Sequence, residues 1–201
     1  MHVKKFTDIR VQKNLLREKS KAYRENLNPD EKERLDRKIS NRFLNLWHYR
    51  EADLILIFVS TEVEVDTYLI MADALQKGKR VAVPRCVEGT RNIEYYLIDS
   101  PDDLEPGTFG VPEPNPQKNL KLTEFDGAVC VVPALVYDKS GFRIGFGKGY
   151  FDRFLSSVQL KTIGLIYDAC LLDSVPRGKY DKRIDMIVTE SKILDFSGKH
   201  V

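Results

Sequence analysis

The chain has 201 residues, 42% of them hydrophobic and 31% charged, which suits one soluble globular domain with a substantial core, or at most two small ones. Its formal net charge is only +2, so no global field toward nucleic acid or a membrane surface is implied, and no segment approaches the length of a transmembrane helix. The charge is uneven: residues 1–50 hold 14 Lys/Arg against 7 Asp/Glu, and the rest hold 18 against 23, a basic segment on a mildly acidic body.

In chain order, residues 8–27 carry Ile9, Leu16 and Tyr23 at intervals of seven, with Leu15, Ala22 and Leu27 beside them, the pattern of an amphipathic helix. Lys13 and Arg17 lie four apart and share one of its faces; taken alone they read as a solvated surface pair. A second helix starts at Asn28, Pro29, Asp30 and Glu31, read as an N-cap, a proline at the first helical position and a Glu closing a capping box. Leu35, Ile39, Phe43 and Leu46 form its buried stripe. His48 near its end reads as a packing or surface residue, and the other two histidines lie at the extreme termini. Histidine acid–base chemistry and histidine metal clusters are therefore poorly supported.

The pattern then changes. Residues 53–60 (D-L-I-L-I-F-V-S) are a near-continuous apolar run, as in a strand covered on both faces. Asp66 and Thr67 cap a helix through Leu75, closed by Gly78, and further strands are expected at 80–84, 128–133, 162–167 and 186–189. Buried strands alternating with helices predict a three-layer α/β/α fold with a mainly parallel, Rossmann-like sheet, preceded by two N-terminal helices, as one domain over residues 1–201. Ligands of such sheets sit where loops leave the carboxyl ends of strands, which marks 60–67, Pro84–Arg85 and the glycine-rich stretch after 128–133. Residues 101–116 contain five prolines and little periodicity, and read as a long surface loop or lid. Cys86, Cys130 and Cys170 are scattered and odd in number, and the opening M-H-V-K-K-F lacks the apolar region of a signal peptide. Reduced thiols and a cytoplasmic location are expected.

Residues 138–155 (D-K-S-G-F-R-I-G-F-G-K-G-Y-F-D-R-F-L) are the most constrained part of the chain. Gly141, Gly145, Gly147 and Gly149 fall within nine residues, letting backbone N–H groups approach a ligand closely. Arg143 and Lys148 among them suit phosphate oxygens, and the run leads through Tyr150, Asp152 and Arg153 into a helical pattern whose start favours anions. It is not a P-loop, because five residues separate Gly141 from Gly147 and no hydroxyl follows Lys148 to hold Mg²⁺. Nor is it the dinucleotide fingerprint, whose third glycine would come one residue later.

The stretch resembles the signature of the 5-formyltetrahydrofolate cyclo-ligase family, P-G-L-x-[FY]-D-x-x-G-x-R-[LI]-G-x-G-[KG]-G-Y-[YF]-D. Pro133, Leu135, Tyr137, Asp138, Gly141, Arg143, Ile144, Gly145, Gly147, Lys148, Gly149, Tyr150, Phe151 and Asp152 are in register, and Ala134 departs where the family usually has Gly. The family's opening K-x-x-L-R is matched by Lys13, Leu16 and Arg17, and the resemblance implies that Lys13 and Arg17 reach ATP phosphates. Its E-[IV]-[DE]-T is matched by Glu64, Val65, Asp66 and Thr67; Glu64 would hydrogen-bond the folate pterin, with Val59 as a pocket wall. Its G-x-[FW]-G-[IV]-P-E-P is matched from Gly107 to Pro114, where Phe109 either stacks on the substrate or anchors its own loop. Asp181 matches an acidic position that helps Asp152 hold Mg²⁺, although the residue before it is Tyr180 where the family often has His.

The resemblance implies an enzyme that uses ATP and Mg²⁺ to convert 5-formyltetrahydrofolate into 5,10-methenyltetrahydrofolate, by phosphorylating the formyl oxygen and closing the ring. ATP would meet Lys13, Arg17, Arg143, Phe151 and the Gly145–Tyr150 run; the folate would meet Val59, Glu64, Phe109, Phe146, Gly147, Lys148, Gly149 and Tyr150. Arg143 and Lys148 would stabilise the transferred phosphoryl group. A non-catalytic folate or nucleotide binder is one alternative, opposed by the intact charged run from Arg143 to Asp152. A nucleic-acid binder is another, opposed by the mixing of acids with the N-terminal cations and by the lack of a recognised motif. Small-molecule partners and a monomer are expected.

Overall fold

In the computed structural model, residues 8–198 are described. The elements run α1 (Ile9–Glu25), α2 (Pro29–Leu44), α3 (Trp47–Glu51), β1 (Leu54–Leu56), α4 (Tyr68–Gln76), β2 (Arg80–Cys86), β3 (Ile93–Ile98), β4 (Leu104–Pro106), β5 (Pro112–Pro114), β6 (Val129–Val132), β7 (Val136–Asp138), β8 (Arg143–Ile144), α5 (Tyr150–Ser157), β9 (Lys161–Leu165), β10 (Leu171–Leu172), β11 (Met186–Val188) and β12 (Ile193–Asp195).

The apolar runs pair side by side as a seven-stranded sheet in the order β12-β11-β9-β6-β1-β2-β3. The inner five strands are parallel, and both edges are antiparallel. Alternate residues serve opposite faces. Ile55, Val81, Val129, Val131 and Ile163 pack under Leu35, Ile39 and Phe43 of α2, Tyr49 of α3, and Ile70 and Met71 of α4. Leu54, Leu56, Ala82, Cys130 and Val132 face Phe154 of α5, with Tyr95, Ile184 and Phe196. This is the expected layered α/β architecture, and each fully buried aliphatic side chain contributes roughly 1.5–3 kcal/mol.

The helix α1 joins neither layer. It packs on a second, three-stranded sheet, β10-β7-β8, through Leu16 against Leu135, Val136, Ile144 and Val175. Its buried residues are Ser20 and Arg24, while Ile9, Val11, Leu15 and Tyr23 are exposed. Apart from Leu16, the inward face is thus mostly polar, because the surface it meets offers main-chain carbonyls.

Other expectations also change. Residues 53–60 yield only three ladder residues; Ile57 still donates to Ala82 O at 3.0 Å before the chain turns away. Pro84 and Arg85 lie inside β2, paired with Tyr95 and Glu94 of an edge strand the sequence reading omitted. The proline-rich segment is an ordered hairpin, with Leu104, Glu105 and Pro106 opposite Pro114, Glu113 and Pro112. At the start of α2, Asn28 accepts from Asp30 N at 2.9 Å, but Glu31 turns to Arg34 rather than closing a capping box.

Candidate active site at the carboxyl ends of the strands

The glycine stretch divides into two parts. In the turn between β7 and β8, fully buried Asp138 accepts from Ser140 N and Phe142 N at 2.9 and 3.0 Å, and from Val175 N and Arg177 at 3.1 Å. Gly141 completes that turn at φ +88°, where a Cβ would lie 2.9 Å from Ile184 O. Gly141 therefore serves the hairpin and not the ligand loop. The remaining residues, Gly145 to Asp152, line a cavity of about 990 Å³ with Pro84 and Pro133, near the carboxyl ends of β2 and β6. Gly149 takes φ +76° as the N-cap of α5 and supplies no side-chain cap, so the loop does end on an open helix start.

The cations gather there from distant segments. Lys13 and Arg17, on the inward face of α1, both line the cavity with Lys148. Arg17 Nε donates to Gly145 O at 2.8 Å, and a Cβ on Gly147 would sit 3.3 Å from its guanidinium. The loop and α1 are thus fitted to each other. Lys13 Nζ bonds Asp181 Oδ2 at 2.5 Å. Arg143 is only 6% exposed; it donates to Asp152 Oδ1 at 2.8 Å and Lys182 O at 3.0 Å. Its fork thus orients a carboxylate, a use the sequence reading did not foresee.

Asp152 and Asp181 line the same cavity. Among the described residues, the hydrogen bonds to the Asp152 carboxylate fall on Oδ1 and those to Asp181 on Oδ2, so the second oxygen of each can face a cation. Two carboxylates beside phosphate oxygens and water are what Mg²⁺ uses, so the residues fit. They are not a stand-alone cage: among the described residues no group of three or more His, Cys, Asp or Glu could hold a metal.

Phe58, Val59 and Glu64 line the same cavity. Glu64 is 5% exposed and accepts on Oε2 from Thr61 N at 3.0 Å and Thr61 Oγ1 at 2.8 Å. Burial pushes its carboxyl above the ordinary range, and the Thr61 bonds and the charge of Arg24 oppose that. Phe146 lines the cavity half exposed, with Lys21 Nζ 5.6 Å from its ring centre. Tyr180 is 77% exposed at the rim. The side chain of Phe109 lies outside the described residues.

Residues not singled out from sequence also line the cavity. Cys86, Arg91 and Glu113 do so where the β4–β5 hairpin meets β2. Glu113 is buried, accepts from Cys86 N at 3.2 Å, and fixes the hairpin. Burial and Glu113 push the Cys86 thiol up to about 11. Glu113 stood inside the matched proline-rich motif, which was its signal; Cys86 had none, since only the pairing of β2 with β3 brings it here.

Fold and cavity define a class: an α/β protein whose strand-end cavity gathers a glycine-rich loop, several cations and a buried acid. Residues 9–190 match the profile of the 5-formyltetrahydrofolate cyclo-ligase family. A probable 5-formyltetrahydrofolate cyclo-ligase of Caenorhabditis elegans is 24% identical over 200 residues, 94% of this chain and 97% of that one. The 5-formyltetrahydrofolate cyclo-ligase of Haemophilus influenzae is 28% identical over 172 residues, 83% and 91% of the two chains. Among solved structures, the 5,10-methenyltetrahydrofolate synthetase of Aquifex aeolicus superimposes with a TM-score of 0.80 at 28% identity, over 94% of this chain and 95% of that one. A synthetase of Mycoplasma pneumoniae shares the fold at a TM-score of 0.68 and 23% identity, over 89% and 98% of the two chains. The chain belongs to the 5-formyltetrahydrofolate cyclo-ligase family.

Proposed function

We propose that this protein converts 5-formyltetrahydrofolate to 5,10-methenyltetrahydrofolate, with ATP as co-substrate and Mg²⁺ as its counter-cation, releasing ADP and phosphate. The observation that carries the reading is that one cavity holds both halves of such a site. Lys13, Arg17, Lys148 and the amides of Gly145–Gly149 suit a triphosphate, while Glu64 against Phe58 and Val59 suits a ring with adjacent N–H donors.

A formamide oxygen is a poor leaving group. Transfer of the γ-phosphoryl to the formyl oxygen makes it a good one: the neighbouring nitrogen attacks the formyl carbon and gives up its N–H proton to solvent, the carbon–oxygen bond breaks, and phosphate departs with that oxygen. Phosphoryl transfer needs positioning and charge stabilisation more than a protein nucleophile. Lys148 and Arg17 neutralise phosphoryl oxygens, with Lys13 reaching the triphosphate. Arg143 holds Asp152, and Phe151 and Tyr150 shape the start of α5 beneath the nucleotide. Val59, Glu64, Phe146 and the Gly147–Tyr150 backbone hold the folate, and Phe109 is proposed to stack on it. Asp152 and Asp181 would hold Mg²⁺, which when bound screens charge on the phosphate oxygens.

A single catalytic domain acting as a monomer on small molecules is part of the same proposal. Among the described residues no helix is long and apolar enough to cross a membrane. The free thiols of Cys86, Cys130 and Cys170 support a reducing compartment, proposed to be the cytoplasm. The test mixes purified protein, Mg-ATP and 5-formyltetrahydrofolate and follows the near-ultraviolet band of the methenyl product. Product without ATP, or none with it, overturns the proposal. Lys148→Ala should lose roughly a hundredfold or more in turnover.

A further inference from the structure

Arg24 lies on α1 eleven residues beyond Lys13 and is 3% exposed. Its Nη1 donates to Val63 O at 3.0 Å, and its Nη2 to Ala134 O and Leu135 O at 3.0 and 2.8 Å. Its Nε is buried without a partner, and its guanidinium carbon lies 5.6 Å from the Tyr167 ring centre. No carboxylate among the described residues forms an ion pair with it. Glu64, the residue after the Val63 carbonyl that Arg24 grips, is likewise buried and likewise has no ion pair; its side-chain bonds go to Thr61. Isolated buried charges are costly, and an arginine does not relieve the cost by releasing its proton. Two such charges on adjacent segments compensate each other through a low-dielectric interior.

The Thr61 bonds favour the ionised carboxylate more than Arg24 does, and Lys32 adds to them, but neither is a positive charge clamped on the Glu64 loop itself. Lys32 of α2 is paired with Asp36 at 2.6 Å, and the Tyr167 hydroxyl donates to Asp36 at 2.7 Å while lying 3.5 Å from Glu64 O. Thr61 donates hydrogen bonds without charge, and Glu62 and Asp66 on the same loop add charge of the wrong sign.

We propose that Arg24 is a positioning residue of this site: clamped on three main-chain carbonyls, it supplies the fixed positive charge that keeps the buried Glu64 carboxylate ionised toward the ligand. The same fork ties the Glu64 loop to the Ala134–Leu135 bend that leads into the hairpin before the glycine loop. The inference rests on reading Glu64 as the acceptor for a reduced pterin.

The test compares wild type, Arg24→Gln and Arg24→Lys in two measurements. One follows the Glu64 carboxyl by NMR titration of glutamate-labelled protein, assigned with Glu64→Gln. The other measures 5-formyltetrahydrofolate and ATP binding by calorimetry from pH 6 to 9. Arg24→Gln should raise the Glu64 midpoint by about one pH unit or more, and weaken folate binding at pH values below that midpoint, by up to about tenfold per unit of the rise, with recovery at higher pH. ATP affinity should move by less than about threefold. Arg24→Lys keeps the charge and should keep the midpoint, which leaves a decisive variant if the glutamine protein does not fold. An unmoved midpoint in folded Arg24→Gln, a raised one in Arg24→Lys, or an equal, pH-independent loss for both ligands overturns the proposal. A wild type that ignores 5-formyltetrahydrofolate refutes the folate reading instead, and the titration still decides Arg24.

Discussion

Gly147→Ala puts the fit between loop and helix to a quantitative test. Gly147 sits at φ +96°, and its Cβ would meet Arg17 Cζ and Nη2 at 3.3 Å. The left-handed backbone costs an alanine about 1–2 kcal/mol. The contact displaces the guanidinium by a few tenths of an ångström, weakening the 2.8 Å bond from Arg17 Nε to Gly145 O. Bonds from a charged donor are worth about 1.5–3 kcal/mol, and losing about half brings the total to roughly 2–3.5 kcal/mol. Carried into ATP binding, that is a loss of roughly 30- to 400-fold; carried into stability, it lowers Tm by about 4–14 °C. Gly145→Ala is the control for stability, because its Cβ meets nothing within 4 Å and its φ is ordinary, so its Tm should stay within about 1 °C of wild type. Calorimetric ATP titration and thermal melts of both variants decide the matter. A Gly147→Ala protein with wild-type Tm and ATP affinity within twofold refutes the reasoning.

Glu64→Gln should abolish folate binding, and it should gain in Tm relative to wild type as pH rises. Burial raises the folded-state pKa of Glu64 above its ordinary 4.5, so the folded form holds the proton more tightly and this group's contribution falls as pH rises through that window. The gain in Tm should therefore be larger at pH 8 than at pH 5; a gain independent of pH contradicts it. Asp152→Asn leaves buried Arg143 without its ion-pair partner and removes a proposed Mg²⁺ oxygen. The Mg²⁺ concentration for half-maximal turnover should rise about tenfold, with a loss of about 1–3 kcal/mol in denaturant melts. Cys86, with its thiol pushed up to about 11, should react slowly with iodoacetamide at pH 7 and faster by about tenfold per pH unit above it. Because Cys130 and Cys170 are buried, early labelling reports Cys86, and rapid labelling at pH 7 would count against this environment.

The legible parts of the chain were those whose signals are local. The Gly145–Asp152 run, its entry into α5, and the spacing of Lys13 and Arg17 could be read because neighbours in sequence stay neighbours in space. The parallel strands stood out because burial on both faces leaves uninterrupted apolar runs. The edge strand Ile93–Ile98 mixes Glu94 with Tyr95 and Tyr96, and lacks such a run. The prolines of residues 101–116 read as irregular chain, yet short strands at sheet edges tolerate proline. The inward face of α1 was not legible, because periodicity reports amphipathicity and not which side meets protein. The roles of Arg24, Arg143 and Glu113 depend on main-chain amides, carbonyls and carboxylates up to 111 residues away, and no spacing rule reaches that far.

The bare start of α5 has a consequence for dynamics. With glycine in the capping position, the amides of the first turn lack the side-chain oxygen that usually completes them, and a bound phosphate is the group that would stand in for it. The empty enzyme should then fray at Tyr150 and Phe151, exchanging those amides with solvent quickly, and the nucleotide should freeze them. Occupancy by the nucleotide would finish a helix that the polypeptide by itself leaves open.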